Sequence, residues 1–191
     1  CTKDKDIVSN PPPAVKQEPT LKRDSTYPNK TIIVPKVDTV ISSLILDTKD
    51  AAGMTAIGSS VKFAFTGAFK PSDDLRNVYF VVRDAGTIVF TSENKLTVND
   101  AVNSFTQTNF LSFTQAKVYV VEIHADVLSS ATDNIGVDDK CTVTFDLVYQ
   151  SNGSATNKTL SATGQTLTFA LTASSTVQIS QVTGPQGQAI L

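Results

Sequence analysis

Residues 141–150, CTVTFDLVYQ, alternate between two faces without interruption. Cys141, Val143, Phe145, Leu147 and Tyr149 fall on one side of an extended chain, and Thr142, Thr144, Asp146 and Gln150 on the other, because neighbouring side chains of a strand point in opposite directions. A helix repeats every 3.6 residues and scatters this set around its axis. The segment therefore reads as a strand with one face in a core. Such a strand needs partners beside it and a second layer over its apolar face.

The rest of the chain supplies them. Strand patterns occur at Thr31–Val34, Val40–Leu46, Ser60–Phe65, Arg76–Arg83, Thr87–Thr91 and Leu96–Val98, and again at Ala116–Val127, Thr159–Leu160, Thr166–Thr172 and Thr176–Val182. Asp84–Gly86 turns one of these tightly into the next. Asn99–Gln115 is the least regular interior stretch, and NDAVNSF within it reads as a helical turn capped by Asn99. Thr and Val, stiff at the β carbon, are abundant and suit strands. No helix–strand alternation points to a parallel α/β sheet. The expected fold is all-β, a single Ig-like antiparallel β-sandwich over residues 31–191.

Residues 1–30 read differently. Pro11, Pro12, Pro13, Pro19 and Pro28 favour extended backbone, and the apolar residues are few. This segment is expected to be an extended tail or linker. The formal charge of −2 gives no basic face for nucleic acid, and no run reaches the roughly 18 apolar residues of a membrane helix.

Candidate chemistry is thin. Glu122, His124 and Asp126 share one strand face, but three alternate residues span about 13 Å and cannot all reach one ion; a solvated face is the plainer reading. Asp133, Asn134, Asp138 and Asp139 offer oxygen ligands that calcium would accept, though their order matches no EF-hand loop, and loop solubility explains them as well. His124 is the sole histidine, no Ser stands in a GxSxG elbow and no glycine-rich phosphate loop precedes a helix, so no enzyme and no cofactor is expected. The chain has no Trp and four Tyr, a poor stock for sugar-stacking platforms.

Cys1 opens the sequence, followed by charged TKDKD. Lipid attachment at Cys1 is one reading, and a Cys1–Cys141 disulfide is another. Asn29-Lys-Thr31, Asn152-Gly-Ser154 and Asn157-Lys-Thr159 fit the N-linked glycosylation pattern. Asp24-Ser25-Thr26 and Asp38-Thr39-Val40 fit an Asp-Ser/Thr-apolar pattern for O-glycans on Ser25 and Thr39.

Cys1 with its charged follow-on resembles a mature bacterial surface lipoprotein, and a Cys-anchored tail before a Thr-rich sandwich is similar to lipoprotein pilins of the type V kind. Those pilins usually have two domains and are longer, and they are cut after a basic residue, which Lys22-Arg23 would offer. The resemblance implies an extracellular or cell-surface, outer-membrane-associated filament subunit whose partners are copies of itself. It touches a membrane only through a Cys1 lipid. A neighbour's terminal segment would complete an open sheet edge. The expected contact residues are Ile7, Val8, Val15, Leu21, Ile32, Ile33 and Val34, with the Thr31–Val40 and Val177–Leu191 segments as further donors. The alternative is a monomeric lipid-anchored module that binds a glycan or protein by its loops.

Overall fold

The computed structural model describes residues 10–13, 17–49, 53–92, 95–106, 111–114, 116–128 and 135–172. Eleven strands and one helical turn follow in order: β1 Thr20–Arg23, β2 Lys30–Val34, β3 Lys36–Asp47, β4 Met54–Thr66, α1 Pro71–Asp74, β5 Leu75–Asp84, β6 Thr87–Thr91, β7 Val102–Phe105, β8 Leu111–Phe113, β9 Val118–Val127, β10 Lys140–Ser151 and β11 Asn157–Leu171. They form two sheets. The first runs β1-β3-β9-β5-β6 and the second β2-β11-β10-β4-β7, with β8 also on β4. This is the all-β sandwich that the alternation predicts.

Strand β10 does what its pattern requires. Cys141, Val143, Phe145, Leu147 and Tyr149 are all buried against the first sheet. Phe145 meets Phe80 of β5 with ring centroids 5.1 Å apart, and Phe80 packs edge-on against Phe105 at 4.9 Å. Phe69 stacks on Phe169 at 4.3 Å and closes one end of the core. Each such side chain stabilises the fold by about 1.5–3 kcal/mol through removal from water.

Several expectations need correction. Not every pairing is antiparallel: β2 lies parallel to β11. No hairpin joins these two strands; the chain reaches β2 by crossing from the first sheet, so its direction is not imposed by a turn. The sandwich also begins before residue 31. Strand β1 pairs with β3 in the register Leu21↔Leu46, and Leu21 is buried. One apolar residue per face is enough to recruit a short edge strand, and the prolines around it conceal that signal. The NDAVNSF stretch is not helical; it contains β7, and Asn103 fastens the preceding bend by accepting from the Asn99 amide at 2.8 Å. Leu96–Val98 contributes a single bridge, Val78↔Leu96. Thr176–Val182 lies outside the described residues.

The two sheets are stitched on one side by Gln165 of β11, which is completely buried. Its Oε1 accepts from the Ser43 amide at 2.8 Å, and its Nε2 donates to the carbonyls of Asp24, Tyr27 and Ser43 at 3.1, 3.3 and 3.0 Å. This side chain holds β11, β3 and the β1–β2 connection together.

Candidate assembly edge

The edges of a sandwich carry unpaired backbone groups, and natural proteins guard them. Among the described residues, three of the edges here are guarded. Strand β1 is four residues long and presents exposed Lys22 and Arg23. Strand β6 is bent by a bulge between its partners Val82 and Arg83. The edge along β4 is divided between the four residues of β7 and the three of β8.

Strand β2 is the exception. It pairs with β11 on one side, and no described strand pairs with it on the other. After Val34 the chain turns at Pro35, through a cis peptide bond, and passes to the first sheet as β3. There β3 pairs with β9, but β1 covers β3 only from Leu44 to Asp47. The open sides of β2 and of the start of β3 therefore face a shared recess. A cavity of about 220 Å³ occupies it, lined by Lys30, Thr31, Ile32, Ile33, Lys36 and Thr39. Around the Pro35 corner stand apolar side chains in water: Ile33 is 60% exposed, Val37 74% and Leu171 48%. Register places Ile33 beside Ala170 and Leu171 beside Val34.

The recess is cationic as well as apolar. Lys30 is held in place, its Nζ donating to Tyr27 Oη at 3.1 Å, Thr39 Oγ1 at 2.9 Å and the Val40 carbonyl at 3.2 Å. Lys36 is exposed at the rim. Neither lysine has a carboxylate partner among the described residues.

Of the contact residues expected from sequence, Ile33 alone among the described ones is free to touch a neighbour. Leu21, Ile32 and Val34 are 8%, 2% and 1% exposed and belong to the chain's own core, because β1 and β2 are strands of the sandwich itself. Ile7, Val8, Val15, Cys1 and Val177–Leu191 lie outside the described residues. Lys30, Lys36, Val37 and Leu171 were not singled out by the pattern; the signal for them is a proline corner flanked by lysine between two apolar runs.

The modification candidates divide. Ser25 is exposed in the turn after β1. Thr39 is buried, with its hydroxyl taken by Lys30, which excludes it as a glycan acceptor in this fold. Asn29 accepts from the Arg23 guanidinium and the Thr166 amide, so its side chain already serves the fold. Cys141 is a free, buried thiol, pushed up to about 12 by burial.

The proposed calcium loop also resolves into parts. Asp133 and Asn134 lie outside the described residues, and Asp138 is exposed. Asp139 is instead a clamp: one carboxylate oxygen accepts from the amides of Ala68, Phe69 and Gly136 at 3.0, 3.0 and 2.7 Å. Gly67, at φ +78, lies so close that a Cβ there would stand 1.6 Å from the other carboxylate oxygen. Among the described residues no group of three or more His, Cys, Asp or Glu could hold a metal ion.

Glu122, His124 and Asp126 share the outer face of β9, as their spacing predicts. They do not converge. Glu122 accepts from Arg83 at 2.9 Å, while the His124 ring lies between Glu122 at 3.2 Å and Asp38 at 3.3 Å. Tyr79 stacks on His124 and donates to Asp38 at 2.5 Å, and that hydrogen bond holds the Asp38 carboxyl below its ordinary value against the opposing effect of burial. Asp126 bridges two bulges, accepting from the Asp38 amide at 2.8 Å and from Asn77 Nδ2 at 2.6 Å. Asp38 and Asn77 both sit at positive φ, +48 and +53, so the carboxylate of β9 props up strained backbone on either side.

No protein-family model matches the chain, and no curated protein matches its sequence. Among the solved structures that match the chain are three from different proteins. The CooA pilin subunit from enterotoxigenic Escherichia coli shares 15% identity over 81% of this chain and 99% of that chain, with a TM-score of 0.33. A family 123 glycoside hydrolase from Clostridium perfringens shares 7% identity over 78% of this chain and 27% of that chain, with a TM-score of 0.36. The collagen-binding subdomain of the Enterococcus faecalis surface protein ACE shares 9% identity over 80% of this chain and 99% of that chain, with a TM-score of 0.29. Likenesses at this level carry no statement about function.

Proposed function

We propose that the chain is a structural subunit at the cell surface that polymerises head to tail, a segment of one copy adding to the β2 edge of the next. One observation carries this reading: the exit of the leading segment and the open edge stand at opposite poles. Glu18 is pinned where its carboxylate accepts from Lys158 at 2.9 Å and from Tyr149 at 3.4 Å. The recess lies at the other end, where Ile33 pairs with Ala170. From Lys158 to Ala170 a strand rises roughly 40 Å. A donor at one pole and an acceptor at the other let copies stack end to end, a head-to-tail contact whose repetition gives an open chain of subunits. Added strands bring main-chain hydrogen bonds for affinity and side-chain pockets for register.

In this reading the chain has no catalytic duty, and Cys1 is the place for a lipid that ties the polymer's base to a membrane. Intact-mass measurement of the native protein decides between an acylated and an unmodified Cys1. The assembly reading is tested by negative-stain microscopy and sedimentation of the full chain beside Ile33→Arg, a change at an exposed site. Filaments that Ile33→Arg abolishes support it; monodisperse particles at every concentration, or filaments indifferent to Ile33→Arg, overturn it.

A second reading has one specific support. A cleft of about 410 Å³ is lined by Thr55, Ser112, Gln150, Ser151, Asn152, Gly153 and Ser154, all neutral. Its hydroxyl and amide groups suit a neutral glycan. Binding of glycan by monodisperse protein, lost in Gln150→Ala, would favour an anchored binding module.

A further inference from the structure

We infer that the occupant of the β2 recess is the segment 3–9 of a second copy, seated by opposite charge; this rests on the assembly reading. The recess offers two lysines and an apolar corner, and the chain contains one unassigned stretch that answers both. In KDKDIVS, residues 3–9, an extended backbone sets Asp4, Asp6 and Val8 on one side and Lys3, Lys5 and Ile7 on the other. The first side carries two carboxylates and a branched apolar residue, the complement of Lys30, Lys36 and Ile33. The segment 173–191 carries no charged residue at all, so it leaves both lysines unanswered.

Reach separates a neighbour from the chain's own edge. Ten residues part Val8 from the pinned Glu18, and they include Pro11, Pro12 and Pro13, which are exposed. Such a stretch spans roughly 31–36 Å at most. The Ile33 end of the same copy's recess stands roughly 40 Å from that pin along β11. Val8 therefore falls short of its own Ile33, while the recess of a copy stacked at the Lys158 pole is within range.

The test uses charge exchange in the full chain. Lys36→Glu alone and Asp6→Lys alone each raise the protein concentration needed for assembly by about tenfold, the equivalent of one lost ion pair in a partly buried groove. The two together bring it back to within about threefold of the native chain. Raising the salt from 0.15 to 1 M weakens native assembly, as screening demands. Lys36 is exposed, and an unchanged thermal midpoint confirms that each variant folds. Single variants that assemble like the native chain overturn the inference, as does a double variant no better than either single. Assembly that survives deletion of residues 1–9 but not of 173–191 overturns it too, while leaving the polymer reading intact. A full chain that never assembles removes both.

Discussion

Replacing Gln165 by leucine tests whether the β1–β2 region is a working part of the sandwich. The side chain is wholly buried and makes four contacts to backbone, one as acceptor and three as donor. Leucine fits the volume and supplies none of them. The carbonyl of Asp24 keeps the Tyr27 amide, and the carbonyl of Ser43 keeps the Asp24 amide, so each loses one bond of two. The Ser43 amide loses the acceptor it faces. A buried amide left bare costs about 1–3 kcal/mol, and each of the other lost bonds about 0.5–1.5. The sum is about 5 kcal/mol at the middle of these ranges. For a chain of this size that lowers the thermal midpoint by about 10–20 °C. Urea unfolding followed by circular dichroism should show the midpoint fall with no change of slope. Gly164 provides a control on the same contact, since a Cβ there would stand 1.9 Å from Ser42 Oγ, and Gly164→Ala should destabilise in the same direction. If Gln165→Leu shifts stability by less than about 0.5 kcal/mol, the clip does not hold the two sheets and the reasoning fails.

Three further outcomes follow from the same structure. Deleting residues 1–16 should leave the thermal midpoint within about 2 °C of the full chain, whereas deleting 1–30 removes Leu21 and the Asp24 and Tyr27 carbonyls that Gln165 holds and should cost more than about 3 kcal/mol. Burial alone would raise the Asp24 carboxyl, but hydrogen bonds from Thr26, Ser43 and Tyr27 outweigh it and hold the group below its ordinary value. Its stabilisation is therefore complete above the unfolded value of about 3.9 and fades as pH falls through the lower native one, so urea midpoints should drop below about pH 4 and Asp24→Asn should flatten that drop. The Tyr79 phenol is pushed up to about 12 by burial and then by its bond to Asp38. That contribution is present below the unfolded value of about 10 and is lost as pH rises through 12; ultraviolet titration should show fewer late-titrating phenols in Tyr79→Phe than in the native chain.

The core was legible because its strands are long and one-sided. The alternation of β10 and β9 names their buried residues one by one, and RNVYFVVR marks β5 as central because both its faces are apolar. The ends of strands were harder. Expected strands at Val40 and Ser60 begin at Lys36 and Met54 in the structure, since backbone pairing continues where side chains no longer alternate. Two expected strands near Leu160 and Thr166 are one, β11, whose register shifts against β10 near Thr163. Strand β1 was hidden because four residues with one buried leucine leave no period to read. The open edge was hidden for another reason: exposure of Ile33 and burial of Ile32 depend on which strand lies beside β2, and a parallel partner 137 positions away, as with Ile32 and Phe169, leaves no local trace.

The β1 ladder bears on how a tethered copy would carry load. Its register runs from Thr20 beside Asp47 to Arg23 beside Leu44, so the chain leaves the fold along the strand axis. A pull on residue 17 then slides β1 past β3, and the hydrogen bonds between them must give together. A pull across the ladder would open them in succession, each at a smaller force. This short edge is thus set in shear, with Leu21 seated in the core and the Asp24 carbonyl held by Gln165 just behind it.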